Sequence, residues 1–471
     1  MTDPRLALTP LLVLAACSTA PSSHTLPEDA PAPRATFEGQ PQPPADAFLA
    51  TDWWTSFEEP ALDAAVETAL ANNFDLMAAA ARVQAVAAQA RAVAGDQLPQ
   101  VNAGLNLARS RSNLIGLPIP GAPDVLAVTN DSHNLGLNLS WELDLWGRLE
   151  AQERAAIAEL ESSEAAYQAV RLSLAGQTAK AWLMAREANA QHGVAVEQLA
   201  NAEDLLRYAR NRFSNGGPAD AVHQAEANVA AARSALPATE QNLRTWQRQL
   251  VTLMGQYPEV ATAPSGAALP ALPGPVPAGL PTELLQRRPD LAEAEAEVRS
   301  ARATSKVTHA SLYPSLALTA SGGTASNDVG DLLDGDFKIW SLGASLTAPL
   351  FHGGALEAQA EAAEAVALAA ELSFAQHYLR ALAEVESGLD NEGRIQQRLG
   401  ELQAQNASLN ARLTSLEDRY RGGVTDASQV YASRGELLQS HSSLLSAELL
   451  LLTNRIDLYL ALGGGFENPQ D

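Results

Sequence analysis

The chain has 471 residues, room for two or three ordinary domains; 46% are hydrophobic but only 5% aromatic, so Ala and Leu dominate and favour long packed helices over a β-sandwich. A formal net charge of −24 argues against a nucleic-acid surface, which needs cations opposite the phosphates, and fits a solvated acidic exterior. The one cysteine, Cys17, excludes a disulfide or a cysteine metal site within a single chain.

Leu6 to Ala16 is a short apolar run ending in Leu14-Ala15-Ala16-Cys17. It is too short to span a bilayer, and small residues before a cysteine resemble a bacterial lipoprotein signal. Residues 1–16 then read as the signal peptide and 17–60 as a lipidated tether, rich in Pro, Ala and Ser from Pro21 to Pro44 and expected to dock through Trp53, Trp54 and Phe57. An ordinary buried apolar segment is the alternative, favoured by an n-region whose Arg5 is offset by Asp3. No later window is long and apolar enough for a transmembrane helix.

Residues 61–257 read as one structural unit. A helix is expected over Leu62–Gln97, ended by Leu98-Pro99. A strand follows, with Val101, Ala103, Leu105 and Leu107 on one face and Asn102, Gly104 and Asn106 on the other. A loop is expected over Ser110–Ser132. A second strand then sets Leu135, Leu137, Leu139 and Trp141 against Asn134, Gly136, Asn138 and Ser140. Period-two alternation marks strands with one apolar face, and nine to eleven residues is the length a tilted transmembrane strand needs. After Trp141-Glu142-Leu143-Asp144-Leu145-Trp146-Gly147-Arg148 the chain reads as one helix to Arg212-Phe213-Ser214-Asn215-Gly216-Gly217, interrupted only by Gly176 and Gly193. At about 1.5 Å per residue it spans roughly 95 Å, deeper than any single globular core. A return helix, Ala219–Met254, should bend at Pro237.

A Pro-rich linker, 258–289, leads to a second unit, 290–466, and a tail, 467–471. Asp75-Leu76 matches Asp290-Leu291, and Val83 and Pro99 match Val298 and Pro314, all at one offset. Leu316, Leu318 and Ala320 alternate with Ala317, Thr319 and Ser321. After a glycine-rich loop, Gly322–Lys338, Leu342, Ala344 and Leu346 alternate with Ser341, Gly343 and Ser345. Pro349-Leu350-Phe351-His352-Gly353-Gly354 opens a long helix, Ala355–Arg421, whose end, Arg419-Tyr420-Arg421-Gly422-Gly423, parallels Arg212 to Gly216. The same order of elements twice implies an internal repeat.

The fold class is therefore α+β: long helical hairpins joined to four strands per chain. Four strands cannot close a transmembrane barrel, and an open edge in lipid leaves backbone groups unsatisfied, so several chains must share one. Small inward residues favour an open lumen, hence twelve strands from three chains. The helices suit the wall of a water-filled tube; the alternative, a solvated coiled-coil rod, leaves the strands unexplained.

These residues resemble the outer-membrane factor family, the TolC-like channels, in its lipoprotein efflux branch. The matching motifs are Leu14 to Cys17, Trp141 to Arg148, Arg287-Arg288-Pro289-Asp290, Pro349 to Gly354, Leu462-Gly463-Gly464-Gly465 and the two helix ends. The resemblance implies a homotrimer with a twelve-stranded outer-membrane barrel and a periplasmic α-barrel. It implies N-palmitoyl, S-diacylglyceryl Cys17 held in outer-membrane lipid. It also implies docking onto a periplasmic membrane-fusion adaptor and an inner-membrane RND-type pump through Arg212, Phe213, Gly216, Arg419, Tyr420 and Gly423. Family members often narrow the tip with aspartates six and nine residues after the second glycine; here Gln429 and Ala432 stand there, and Asp426 is the nearest carboxylate. Asp426 and Gln429 are thus the gate candidates. The expected function is a passive exit duct for small molecules. A type I protein-secretion duct and a lipid-anchored periplasmic scaffold are the rivals.

No catalytic constellation appears. The eight histidines are scattered away from ligand spacing, no G-x-S-x-G or P-loop occurs, and Glu357, Glu361 and Glu364 fit a solvated helix face. Neither a metal nor a cofactor is expected, nor enzyme activity.

Overall fold

Two breaker-poor runs become two helices of equal length. The computed structural model describes residues 37, 50–115, 125–259, 268–276 and 281–465. The signal peptide with Cys17, most of the tether, the tip of the first hairpin, part of the Pro-rich linker and the tail lie outside them. The helices are α1 (Pro60–Asn72), α2 (Phe74–Gly95), α3 (Arg148–Ser214), α4 (Ala219–Leu253), α5 (Leu284–Arg287), α6 (Pro289–Ala310), α7 (Ala355–Arg421) and α8 (Ala427–Ala461). The strands are β1 (Gln100–Ile115), β2 (Val125–Leu143), β3 (Ser315–Ser326) and β4 (Lys338–Thr347). Both α3 and α7 have 67 residues, roughly 100 Å each, and both return helices have 35.

The expected first helix is two. Asn73 breaks it: its side chain accepts from the backbone of Asp75 and Leu76, capping α2, while its amide donates to the Leu253 carbonyl at 3.0 Å. Asparagine satisfies the free donors of a helix start better than it continues a helix interior. No helix among the described residues is long and apolar enough to cross a membrane.

The strands form one antiparallel sheet in the order β1-β2-β3-β4. They overrun the expected loops: residues 110–115 pair with 125–130, and β3 continues through Gly322 to Ser326. Apolar alternation stops there, but the backbone ladder does not depend on side-chain polarity. Residues 125–132 of β2 extend past the β2–β3 ladder, which begins at His133↔Ser326. The hairpin thus projects about 27 Å beyond β3 at roughly 3.4 Å per residue.

The main core lies midway along the long helices. Trp53, Trp54 and Phe57 are buried there with Trp182, Tyr378, Val385, Ile456 and Tyr459, the rings of Trp53 and Tyr459 5.3 Å apart. Runs of buried Ala along α3 (175, 179, 181, 185, 188) let helix backbones approach closely. Two buried arginines tie the second unit and the linker to this core. Arg455, 1% exposed, binds Glu392 through two nitrogens at 2.7 and 2.8 Å and the carbonyls of Pro273 and Gly274. Arg288 binds Asp290, Glu384 and the Ala461 carbonyl, which explains the Arg-Pro-Asp motif. Burial opposes the Arg288 charge, but its two carboxylates outweigh it and raise its pKa.

Candidate functional site

The far ends of the long helices carry the expected docking residues, and both ends close in the same way. The Gly217 N–H donates to the Arg212 carbonyl at 2.9 Å and Gly216 to Phe213 at 3.0 Å; Val424 donates to Arg419 at 2.8 Å and Gly423 to Tyr420 at 2.9 Å. These are paired Schellman closures. Gly216 (φ 91°) and Gly423 (φ 70°) hold the left-handed position, which costs an L-residue roughly 1–2 kcal/mol. Both glycines are therefore required by the turn itself. Around them Phe213, Arg419, Tyr420 and Val424 are exposed.

The two tips of one chain are also joined. Asp426 caps α8, accepting from the Ser428 N–H at 2.8 Å, and its other oxygen accepts from the Arg212 guanidinium at 2.5 Å. The Tyr208 hydroxyl adds a third bond to the carboxylate. Burial pushes the Asp426 carboxyl up, but hydrogen bonds from Ser428 and Tyr208 and the Arg212 charge outweigh it and hold it below the usual carboxylate range. One turn into α8, the Asn201 amide donates to the Tyr431 carbonyl at 3.0 Å, and the Tyr208 and Tyr431 rings lie 6.4 Å apart. Gln429 is exposed and accepts from Thr425 at 2.7 Å. The structure thus brings Arg212 and Asp426 together and leaves Arg419 on the surface. Tyr208 and Asn201 escaped the sequence reading, although Tyr208, four residues before Arg212, shares its helix face.

At the other end, the strand-to-helix junction explains the Trp141–Arg148 motif. Arg148 holds Glu142 at 2.8 and 2.9 Å, Trp141 donates to the Gln97 carbonyl, and Trp146 stacks on Tyr313 at 5.1 Å while donating to Pro314. Leu98, Leu145, Trp146, Tyr313, Leu350 and Phe351 are all exposed at this level, Leu350 and Phe351 about nine-tenths so. The register assigns one sheet face to Val101, Leu105, Leu107, Leu135, Leu137, Leu342 and Leu346, exposed despite being apolar. The opposite face carries Asn102, Asn106, Asn134, Asn138, Ser140, Thr319, Ser321 and Ser341, and its one charge is Glu142, opposite Ala317 and held by Arg148 at the helix junction. Among the described residues the outer edges of β1 and β4 have no neighbour in the sheet. Among the described residues no three His, Cys, Asp or Glu gather at metal-binding geometry.

Comparison with known proteins bears on this arrangement. The family model described as "outer membrane efflux protein" matches residues 65–256 and 280–464. The pyoverdine export outer membrane protein OpmQ of Pseudomonas aeruginosa is 33% identical over 435 residues, 90% of each chain. The cation efflux system protein CusC of Escherichia coli K12 is 28% identical, covering 89% of this chain and 90% of its own. Among solved structures, the outer-membrane channel OprN superposes with a TM-score of 0.83 at 30% identity, over 95% of this chain and 99% of that one. With both units matched and the channel fold shared end to end, the chain belongs to the outer membrane efflux protein family, and its function is that of an outer-membrane efflux channel.

Proposed function

We propose that three copies form one duct, the passive outer-membrane exit of a tripartite system fed by an inner-membrane RND-type pump through a periplasmic membrane-fusion adaptor. The observation that carries this reading is the sheet: one face apolar and exposed, the other polar and uncharged apart from Glu142, with both edge strands open among the described residues. Such a sheet is satisfied in lipid only when β4 of one copy pairs with β1 of the next, and three copies close twelve strands around a wet lumen. The ring of Trp146, Tyr313, Leu350 and Phe351 suits the periplasmic membrane interface. The equal helix lengths and the two separate family matches support an internal repeat. Cys17, thioether-linked to diacylglycerol and N-palmitoylated, adds a lipid anchor; Cys17→Ser should abolish palmitate labelling.

The cargo is a small molecule and the chain supplies no catalysis. Deleting the gene should increase susceptibility across a broad compound panel. Unchanged susceptibility with loss of a secreted protein would favour the protein-secretion rival. Purified protein should conduct ions in planar bilayers as a heat-modifiable oligomer; a non-conducting monomer would leave the anchored scaffold. The tips are the docking surface and the Arg212–Asp426 clasp is the gate element, in place of a free carboxylate ring. Gly423→Val, strained by its positive φ, should cut both adaptor crosslinking and export several-fold, and survival of both would remove the tip from the docking role.

A further inference from the structure

The lipid-facing side of the sheet changes chemistry at its loop end. On β1 the face that carries Val101, Leu105 and Leu107 continues, two residues at a time, into Arg109 and Arg111. On β4 the face of Trp340, Leu342 and Leu346 begins at Lys338. Both hairpins thus turn from apolar to cationic at the end away from the helices, on the same face. The chain is strongly acidic and has only three lysines, so cations here run against its composition. Arg109 is 76% exposed and makes one loose contact, 3.5 Å to Asp131; Arg111 is exposed and its cross-strand neighbour is the uncharged Thr129. The two arginines stand about 7 Å apart along the strand, a spacing that lets both reach one phosphorylated headgroup. Three of the four aspartates of the second hairpin are otherwise engaged: Asp328 and Asp334 accept from the backbone of Gly330 and Asp336, and Asp331 accepts from Ser326, which leaves the Asp336 carboxylate as the acidic group to offset Lys338.

We infer that Arg109, Arg111 and Lys338 form a headgroup collar that binds the phosphates of an anionic glycolipid in the outer leaflet. The inference rests on the barrel reading above, which makes this sheet face lipid-exposed and puts the loop end outside. Guanidinium groups recognise phosphate oxygens through paired N–H donors, and the apolar face below them would pack the acyl chains.

The test uses full-length protein in nanodiscs of neutral lipid. Bisphosphorylated lipid A is added and compared with its dephosphorylated form, with inorganic phosphate and with no addition; bound lipid is read by native mass spectrometry. Wild type should retain the bisphosphorylated form at least tenfold more than the dephosphorylated one. R109A/R111A/K338A should lose that preference while staying a heat-modifiable oligomer, and D131A, which frees Arg109, should retain more lipid than wild type. Equal retention by wild type and the triple variant would overturn the collar, as would displacement by millimolar inorganic phosphate, which would mark a site for the free anion. If the triple variant fails to fold, D131A decides: no gain in lipid sinks the inference. Failure of the barrel reading has a different signature, a wild-type protein with no heat-modifiable form at all.

Discussion

Replacing Arg455 with methionine is expected to destabilise the protein by about 3–5 kcal/mol, the cost of breaking a buried ion pair from one side. The guanidinium is 1% exposed and serves three acceptors at once: the Glu392 carboxylate and the carbonyls of Pro273 and Gly274. Methionine fills much of the volume but strands a largely buried carboxylate and two carbonyls. The heat-modifiable oligomer should disappear from membrane extracts, or its melting temperature fall by many degrees. R455M/E392L, which removes both charges, should recover part of the loss. A single variant with wild-type thermal stability would show that the linker is not held here.

The second large effect is expected at the tips. Arg212→Glu places two carboxylates where the Arg212–Asp426 pair stood. Both side chains are partly exposed, so one clasp is worth no more than about 1 kcal/mol. The proposed trimer would have three, and losing about 3 kcal/mol together would shift a closed–open equilibrium roughly a hundredfold. Single-channel recordings should show a tip that stays open far more often, and cells should admit large antibiotics normally excluded. The exchanged pair R212D/D426R should close it again. Conductance unchanged by the reversal would remove the clasp from gating. The pH dependence follows from the sign of the shift. Asp426 titrates below its unfolded value, so its contribution is complete above about pH 4 and is lost only as pH falls through the lowered folded pKa. Neutral and mildly acidic media leave the clasp intact.

Much of this architecture was readable in the sequence because its signals are periodic and long. The Gly353-Gly354 and Gly422-Gly423 pairs marked the bounds of Ala355–Arg421 to the residue, and the glycines at 216 and 423 marked both reversals. What escaped reading was local or long-range. Asn73 looked like one more polar helix residue until its side chain was seen capping α2. The strand ends lose apolar alternation, so Ser110–Ile115 looked like loop although every residue of it stands in register with β2. The clasp joins residues 214 positions apart, a separation over which no spacing rule operates.

The β2–β3 ladder also sets an order of assembly. Each helical hairpin closes between adjacent segments, whereas His133 meets Ser326 about 190 positions later. Closing so large a loop is slow, so helix pairs form early and the sheet is completed only after most of the chain has been made. During that interval β1 and β2 wait in water with an apolar face and open hydrogen-bonding edges, the condition that favours aggregation. A newly exported chain is thus most vulnerable between its two halves, and most dependent there on whatever escorts it to the membrane.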